Sequence, residues 1–182
     1  MDELTDKQMR YLSDRFEIQD VLSRYAAGQD DHQGDDDRVI AIWSEVFTSD
    51  AVLDYSQAGS PFGVCSYREL ASTMRGAANQ PGVMNGSFHR WQHMLGLPLV
   101  QVKDDHATAR TDLLATHVGR THVGTPWHLF DAAIFYDQLV RTSAGWRIHT
   151  RRLQVTYVEV VETRPPGDVA DLIGTPSGGA HA

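Results

Sequence analysis

The side chains suited to moving protons or polarising oxygen fall in a few short stretches. Tyr25 and Asp30 lie in RYAAGQDD, His89 and His93 in HRWQH, His117 in TDLLATHV, and Arg151 in WRIHTRR. Histidine exchanges protons near neutral pH, and a carboxylate beside it fixes the tautomer and stabilises the imidazolium. An Asp–His pair is therefore equipped for general base catalysis. On one uninterrupted helix Tyr25 and Asp30 would diverge by about 140°. A helix stop at Gly28 would let Asp30 fold back, and Asp31 is the alternative acid. His89 and His93, four apart on a strand, would share a face, so a metal pair is geometrically open although a third ligand is missing. The plainer reading of each is a packed, hydrogen-bonded strand histidine.

Alternation places Leu113, Ala115 and His117 on one strand face, pointing inward. A polar group there must find a partner or face a cavity. Arg151 lies opposite Trp146 and Ile148 unless a bulge intervenes. Inward, it would hold an anionic or carbonyl oxygen; outward, it is an ordinary surface charge. His122 and His128 read as loop residues.

These residues belong to a 182-residue chain with nine histidines, one cysteine and a net charge of −8. That length suits one domain able to bury a sizeable core without a metal or disulfide staple. Cys65 stands alone, which excludes an internal disulfide and the cysteine-based zinc motifs and fits a reducing, cytoplasmic setting. The charged N-terminus lacks a signal-peptide core, and no apolar run is long enough for a membrane span, so no membrane partner is expected. An acidic chain has little grip on phosphate backbones; Arg147, Arg151 and Arg152 form its only dense basic patch, so nucleic acid is not expected either. No GxGxxG, Walker-type, GxSxG or HExxH string occurs, which leaves the common nucleotide, nucleophile-elbow and metalloprotease readings without their signatures.

The elements that must position the side chains follow from periodicity. Met9, Leu12, Phe16, Val21, Leu22 and Tyr25 recur at mainly three- and four-residue steps, predicting a helix over about 6–27. A second helix is expected over about 36–45, a strand over 47–55 and a helix over 67–78. Strands are expected over 91–102, 107–118, 127–141 and 146–161, with turns at Asp104-Asp105 and Ser143-Ala144-Gly145. Helices first and an antiparallel meander second imply an α+β fold with helices packed on a curved sheet. Such a sheet can form a cone with one open mouth. Trp91, Met94, Trp127, Phe130, Phe135 and Tyr136 are available to line its pocket. Residues 1–163 read as the single domain. The Pro/Gly-rich stretch 164–182 reads as a mobile tail, either surplus or a lid over the pocket.

Together, a helix ending RY-x4-D, then FTSDAVLDY, then Q-H opening the strand region and a final GWRI-x2-R strand resemble the SnoaL-like branch of the nuclear-transport-factor-2-like superfamily. Within it the pattern is similar to scytalone dehydratase, bile-acid 7α-dehydratase, hexachlorocyclohexane dehydrochlorinase and the polyketide cyclases. The resemblance covers about residues 14–161 and implies a cone-shaped α+β barrel. It matches Asp30 and His93 to an Asp–His pair, Tyr25 to a preceding tyrosine and His117 to a second inward histidine. Tyr55 matches a tyrosine that polarises a substrate carbonyl through water, and Arg151 an arginine of the last strand. The implied activity is a lyase or isomerase, dehydratase- or cyclase-like, acting on an aromatic or polyketide-like metabolite with no metal or organic cofactor. His93 would be the base, and His117 would return the proton. Self-association as a dimer or trimer is also implied. The alternative is a non-catalytic small subunit of a ring-hydroxylating dioxygenase, or a ligand-binding module.

Overall fold

The computed structural model describes residues 3–31, 36–77, 80–120 and 126–162. The first helix, α1, runs Glu3–Asp30. Its second half buries Ile18, Val21, Leu22 and Tyr25, whereas Met9, Leu12 and Phe16 stay exposed. The apolar stripe of the sequence is thus only half used within this chain.

Helix α1 does not stop at Gly28. A Cβ at that position would lie 2.8 Å from Trp43 Nε1, and that nitrogen donates to the Tyr25 carbonyl. The glycine admits the buried indole of α2 (Asp36–Trp43) against the helix instead of ending it.

Strand β1 (Phe47–Asp54) leads through a 3-10 turn at Ser56–Ala58 to the two-residue β2 (Val64–Cys65). Helix α3 (Tyr67–Arg75) starts at a capping box in which Ser66 and Glu69 exchange hydrogen bonds. The short ladder β3 (Gly76–Ala77) with β4 (Gln80–Pro81) and the one-turn α4 (Val83–Ser87) complete the helical layer.

The remaining strands are β5 (Phe88–Leu95), β6 (Leu99–Lys103), β7 (His106–Arg120), β8 (Pro126–Thr142) and β9 (Gly145–Glu162). The sheet order is β2-β1-β9-β8-β7-β5, with β6 also on β7. Every neighbour pair is antiparallel except β1 with β9, which run parallel. The expected strand over 91–102 is broken at Gly96-Leu97-Pro98 into β5 and β6, because proline cannot continue the ladder as a donor. Both halves pair with β7. The β6–β7 turn places Asp104 at a φ of 55° and the β8–β9 turn places Gly145 at 95°, so both expected turns carry a residue tolerant of the left-handed region.

Bulges between Ala132 and Ala133 and between Gln138 and Leu139 in the β8–β9 ladder bend these long strands around the helices. The curved sheet stays open, a helix-filled cone rather than a closed barrel. Its core joins Trp43, Tyr25, Phe47 and Leu53 to Phe135, Leu139, Trp146 and Ile148. No helix among the described residues is long and apolar enough to cross a membrane. The stretch 164–182, together with His32 and His122, lies outside the described residues.

Candidate active site

The end of α1 is the first element of the site. Its last carbonyls lack helical partners, and that of Gln29 accepts from Trp91 Nε1 at 2.7 Å and from Arg75 Nη2. Arg75 is buried and stacks 4.5 Å over the Trp91 ring. Burial lowers its pKa, an effect that the Asp31 and Asp30 charges oppose. A cation there suits the negative helix end and offsets a carboxylate in the last turn. Asp30 can therefore close the helix and still reach β5. The 140° divergence from Tyr25 is kept, because Tyr25 lines the cavity itself whereas Asp30 reaches it through His93.

Asp30 Oδ1 lies 2.7 Å from His93 Nδ1. The His93 backbone N–H also donates to Oδ1 at 3.0 Å and Oδ2 at 2.9 Å. A carboxylate can only accept, so Nδ1 carries the proton and the Nε2 lone pair is free for a ligand. The His93 side chain is 8% exposed and that of Asp30 25%. Asp31 pairs instead with Arg38, which separates the two candidate acids. A bulge between Phe88 and Arg90 leaves His89 exposed, so His89 and His93 form no metal pair. Among the described residues no group of three or more His, Cys, Asp or Glu could hold a metal ion.

His117 faces inward, as alternation predicts, and is 6% exposed. Its ring meets His93 edge-on at 5.5 Å between centroids and packs 4.8 Å from Phe88. Burial, then the neighbouring His93, lowers its pKa to about 4, against the opposing pull of Asp30 and the Leu129 backbone. His117 is thus a neutral imidazole at pH 7. Among the described residues no hydrogen-bond partner reaches its Nδ1.

Tyr25 and Tyr55 meet oxygen to oxygen at 2.6 Å. Burial is the main cause raising both phenol pKa values, with the Arg151 charge opposing it. Two neutral phenols share one bridging proton, so one O–H stays available to a ligand.

Behind them sits Arg151. The β8–β9 bulge at Gln138/Leu139 pairs Leu139 with Ile148 and Gln138 with Thr150, skipping His149. That single extra residue turns Arg151 inward, onto the face of Ile148. Its Nε and Nη2 donate to the two Asp137 carboxylate oxygens at 2.7 and 2.8 Å, and both side chains are fully buried. Its guanidinium lies 4.1 Å from the Tyr25 ring and 4.0 Å from that of Phe135. Arg151 does not line the cavity; it backs the tyrosine that does.

The cavity holds about 280 Å³ and is walled by Tyr25, Tyr55, His93 and His117 among apolar side chains. Its size and lining suit a small, largely apolar molecule. Of the six aromatic and methionine residues expected to line it, only Phe135 does, joined by Phe62, Phe88, Met74 and Met84. Met94 is exposed, Trp91 caps the helix end and Tyr136 stacks with Arg152.

One wall residue escaped the sequence reading. Asp131, on the inward face of β8, has a buried Oδ1 without a hydrogen-bond partner among the described residues. Burial raises its pKa and the nearby His93 partly opposes this. Its signal was available: Leu129, Asp131, Ala133, Phe135 and Asp137 alternate along β8 just as Leu113, Ala115 and His117 do along β7.

A model of the SnoaL-like domain matches residues 10–152. An uncharacterized protein of Mycobacterium tuberculosis is 32% identical over 141 residues, spanning 77% of this chain and 84% of its own. Among solved structures, the hexachlorocyclohexane dehydrochlorinase LinA-type3 from Novosphingobium barchaimii superposes with a TM-score of 0.65 at 20% identity, covering 87% of this chain and 99% of that one. A scytalone-dehydratase-like protein from Novosphingobium aromaticivorans gives 0.61 at 18% identity, covering 88% and 93%. At these identities the structural likenesses show the fold alone.

Proposed function

Because the chain belongs to the SnoaL-like family, with the nuclear-transport-factor-2-like fold, we propose that it is a lyase or isomerase working by proton transfer. The substrate is a neutral, aromatic or polyketide-like molecule with a carbonyl that acidifies a neighbouring C–H bond. His93 Nε2 removes that proton. Asp30 keeps the imidazole in the Nδ1–H tautomer and stabilises the imidazolium once it forms. The free O–H of the Tyr25–Tyr55 pair donates to the oxygen that becomes an enolate. Expulsion of a β-hydroxyl then gives a dehydratase; attack by an internal nucleophile would give a cyclase.

One observation carries this reading: the 2.7 Å Asp30–His93 bond at the wall of an apolar cavity that also holds a neutral phenol pair. The test uses the aldol adduct of benzaldehyde and acetone, whose dehydration produces a conjugated, ultraviolet-absorbing enone. Wild-type protein should accelerate the reaction, and His93→Ala or Asp30→Asn should each lose about 10²–10⁴-fold, the usual share of general base catalysis. Equal rates in wild type and both variants would reject the assignment.

A further inference from the structure

Proton abstraction leaves half of an elimination unexplained, since a hydroxyl group departs poorly unless it is protonated as it goes. His117 is the residue that family resemblance offers for this task. Its pKa of about 4 leaves roughly one molecule in a thousand as imidazolium at pH 7. Neutral His117 can align a leaving oxygen through a hydrogen bond but is a weak source of protons.

Asp131 differs in each respect that matters. It lies on the inward face of β8 and lines the same cavity as His93 and His117. Asp137, further along that face, has both oxygens engaged by Arg151, but the buried Oδ1 of Asp131 has no hydrogen-bond partner among the described residues. Burial without a compensating hydrogen bond favours the neutral form of a carboxyl group, and that form is a donor.

We propose that Asp131, rather than His117, is the general acid of this site and delivers its proton to the oxygen that leaves. The proposal rests on the elimination reading above. His93 Nε2 takes the proton from carbon, and that C–H electron pair forms the new C=C bond. The C–O bond breaks with its electrons on oxygen, and Asp131 protonates the departing hydroxyl to water. The cycle ends with an imidazolium on His93 and a carboxylate on Asp131. Transfer of one proton from His93 to Asp131 through water restores both. No oxidant, reductant or co-reactant is consumed.

The test compares two leaving groups on one framework: the benzaldehyde–acetone aldol adduct and its O-acetyl ester. Acetate leaves without help from an acid. Asp131→Asn keeps the shape of the side chain but cannot give up a proton. It should slow the hydroxy compound by at least about 10²-fold and the acetyl ester by less than about threefold. Infrared spectra of aspartate-labelled protein report the acid without any substrate. Wild type should show a carboxyl that stays protonated above the ordinary carboxyl range, and Asp131→Asn should lack it. Thermal melts of the variant should match wild type, because the buried Oδ1 has no hydrogen bond among the described residues to lose. Equal slowing on both probes, no slowing on either, or absence of the infrared band would overturn the role of Asp131 while leaving His93 as the base. Wild-type protein inert to both probes would instead overturn the elimination reading itself.

Discussion

Replacing Arg151 with methionine separates a structural from a substrate-binding role for the most deeply buried cation of the site. Both Arg151 and Asp137 have 0% side-chain exposure, and both carboxylate oxygens are taken by the guanidinium fork at 2.7 and 2.8 Å. Arg151→Met fills most of the volume but leaves the Asp137 carboxyl without its partner. Orphaning one member of a buried pair costs about 3–5 kcal/mol. The lost stacking on Tyr25 and Phe135, each about 4 Å away, acts in the same direction. Against a typical domain stability of about 5–15 kcal/mol, this is a large fraction. It corresponds to a fall in Tm of roughly 6–20 °C for a chain of this size. The double variant Arg151→Met/Asp137→Leu removes both charges and should recover at least about 2 kcal/mol. Urea unfolding of wild type, single and double variants measures all three. A single-variant loss below about 1 kcal/mol, or a double variant no more stable than the single, would refute the reasoning. If Arg151 instead held substrate, Arg151→Met would raise KM with little effect on unfolding.

Other outcomes follow from neighbouring parts of the structure. Gly28→Ala should destabilise by about 1–3 kcal/mol in urea, because the new Cβ meets the buried Trp43 indole at 2.8 Å; a gain, as helix propensity alone predicts, would contradict the packing argument. Asp31→Asn, at a carboxylate that pairs with Arg38 rather than His93, should keep turnover within about threefold, whereas Asp30→Asn loses it; the reverse ranking in the dehydration assay would exchange the two acids. His117 binds its proton more weakly folded, at about 4, than unfolded, at about 6.5. Its contribution is therefore whole above about pH 6.5 and is lost as pH falls toward 4, by roughly 3 kcal/mol. Stability measured against pH should show that much less dependence in His117→Gln. Identical profiles would mean that His117 titrates normally.

Much of this site was legible from local pattern. The alternation around His117 correctly turned it inward, because a strand face in a core admits no ambiguity of period. The fold class followed from helices preceding long β-branched runs. What the pattern left open depended on register or on a distant partner. Arg151 faces inward only because one bulge skips His149, and no propensity announces such a residue. The choice between Asp30 and Asp31 rested on where Arg38 and His93 would lie, a tertiary fact. Gly28 looked like a helix stop by composition, but Trp43 claims the space its hydrogen leaves. Asp131 was within reach of the same alternation test applied to β8. Only its unpartnered oxygen, a property of the folded cavity, shows why it matters.

Base catalysis by His93 with Asp30 is the centre of the account, and proton exchange tests it without requiring the natural substrate. β-Tetralone carries acidified C–H bonds beside a ketone in a molecule small enough for the cavity. Loss of those proton signals in deuterium oxide, followed by NMR, should be faster with wild-type protein than in buffer. It should slow by about 10²-fold or more with His93→Ala and with Asp30→Asn, and combining the two should slow it little further, since they act as a unit. Exchange that proceeds equally in wild type and His93→Ala would contradict the claim.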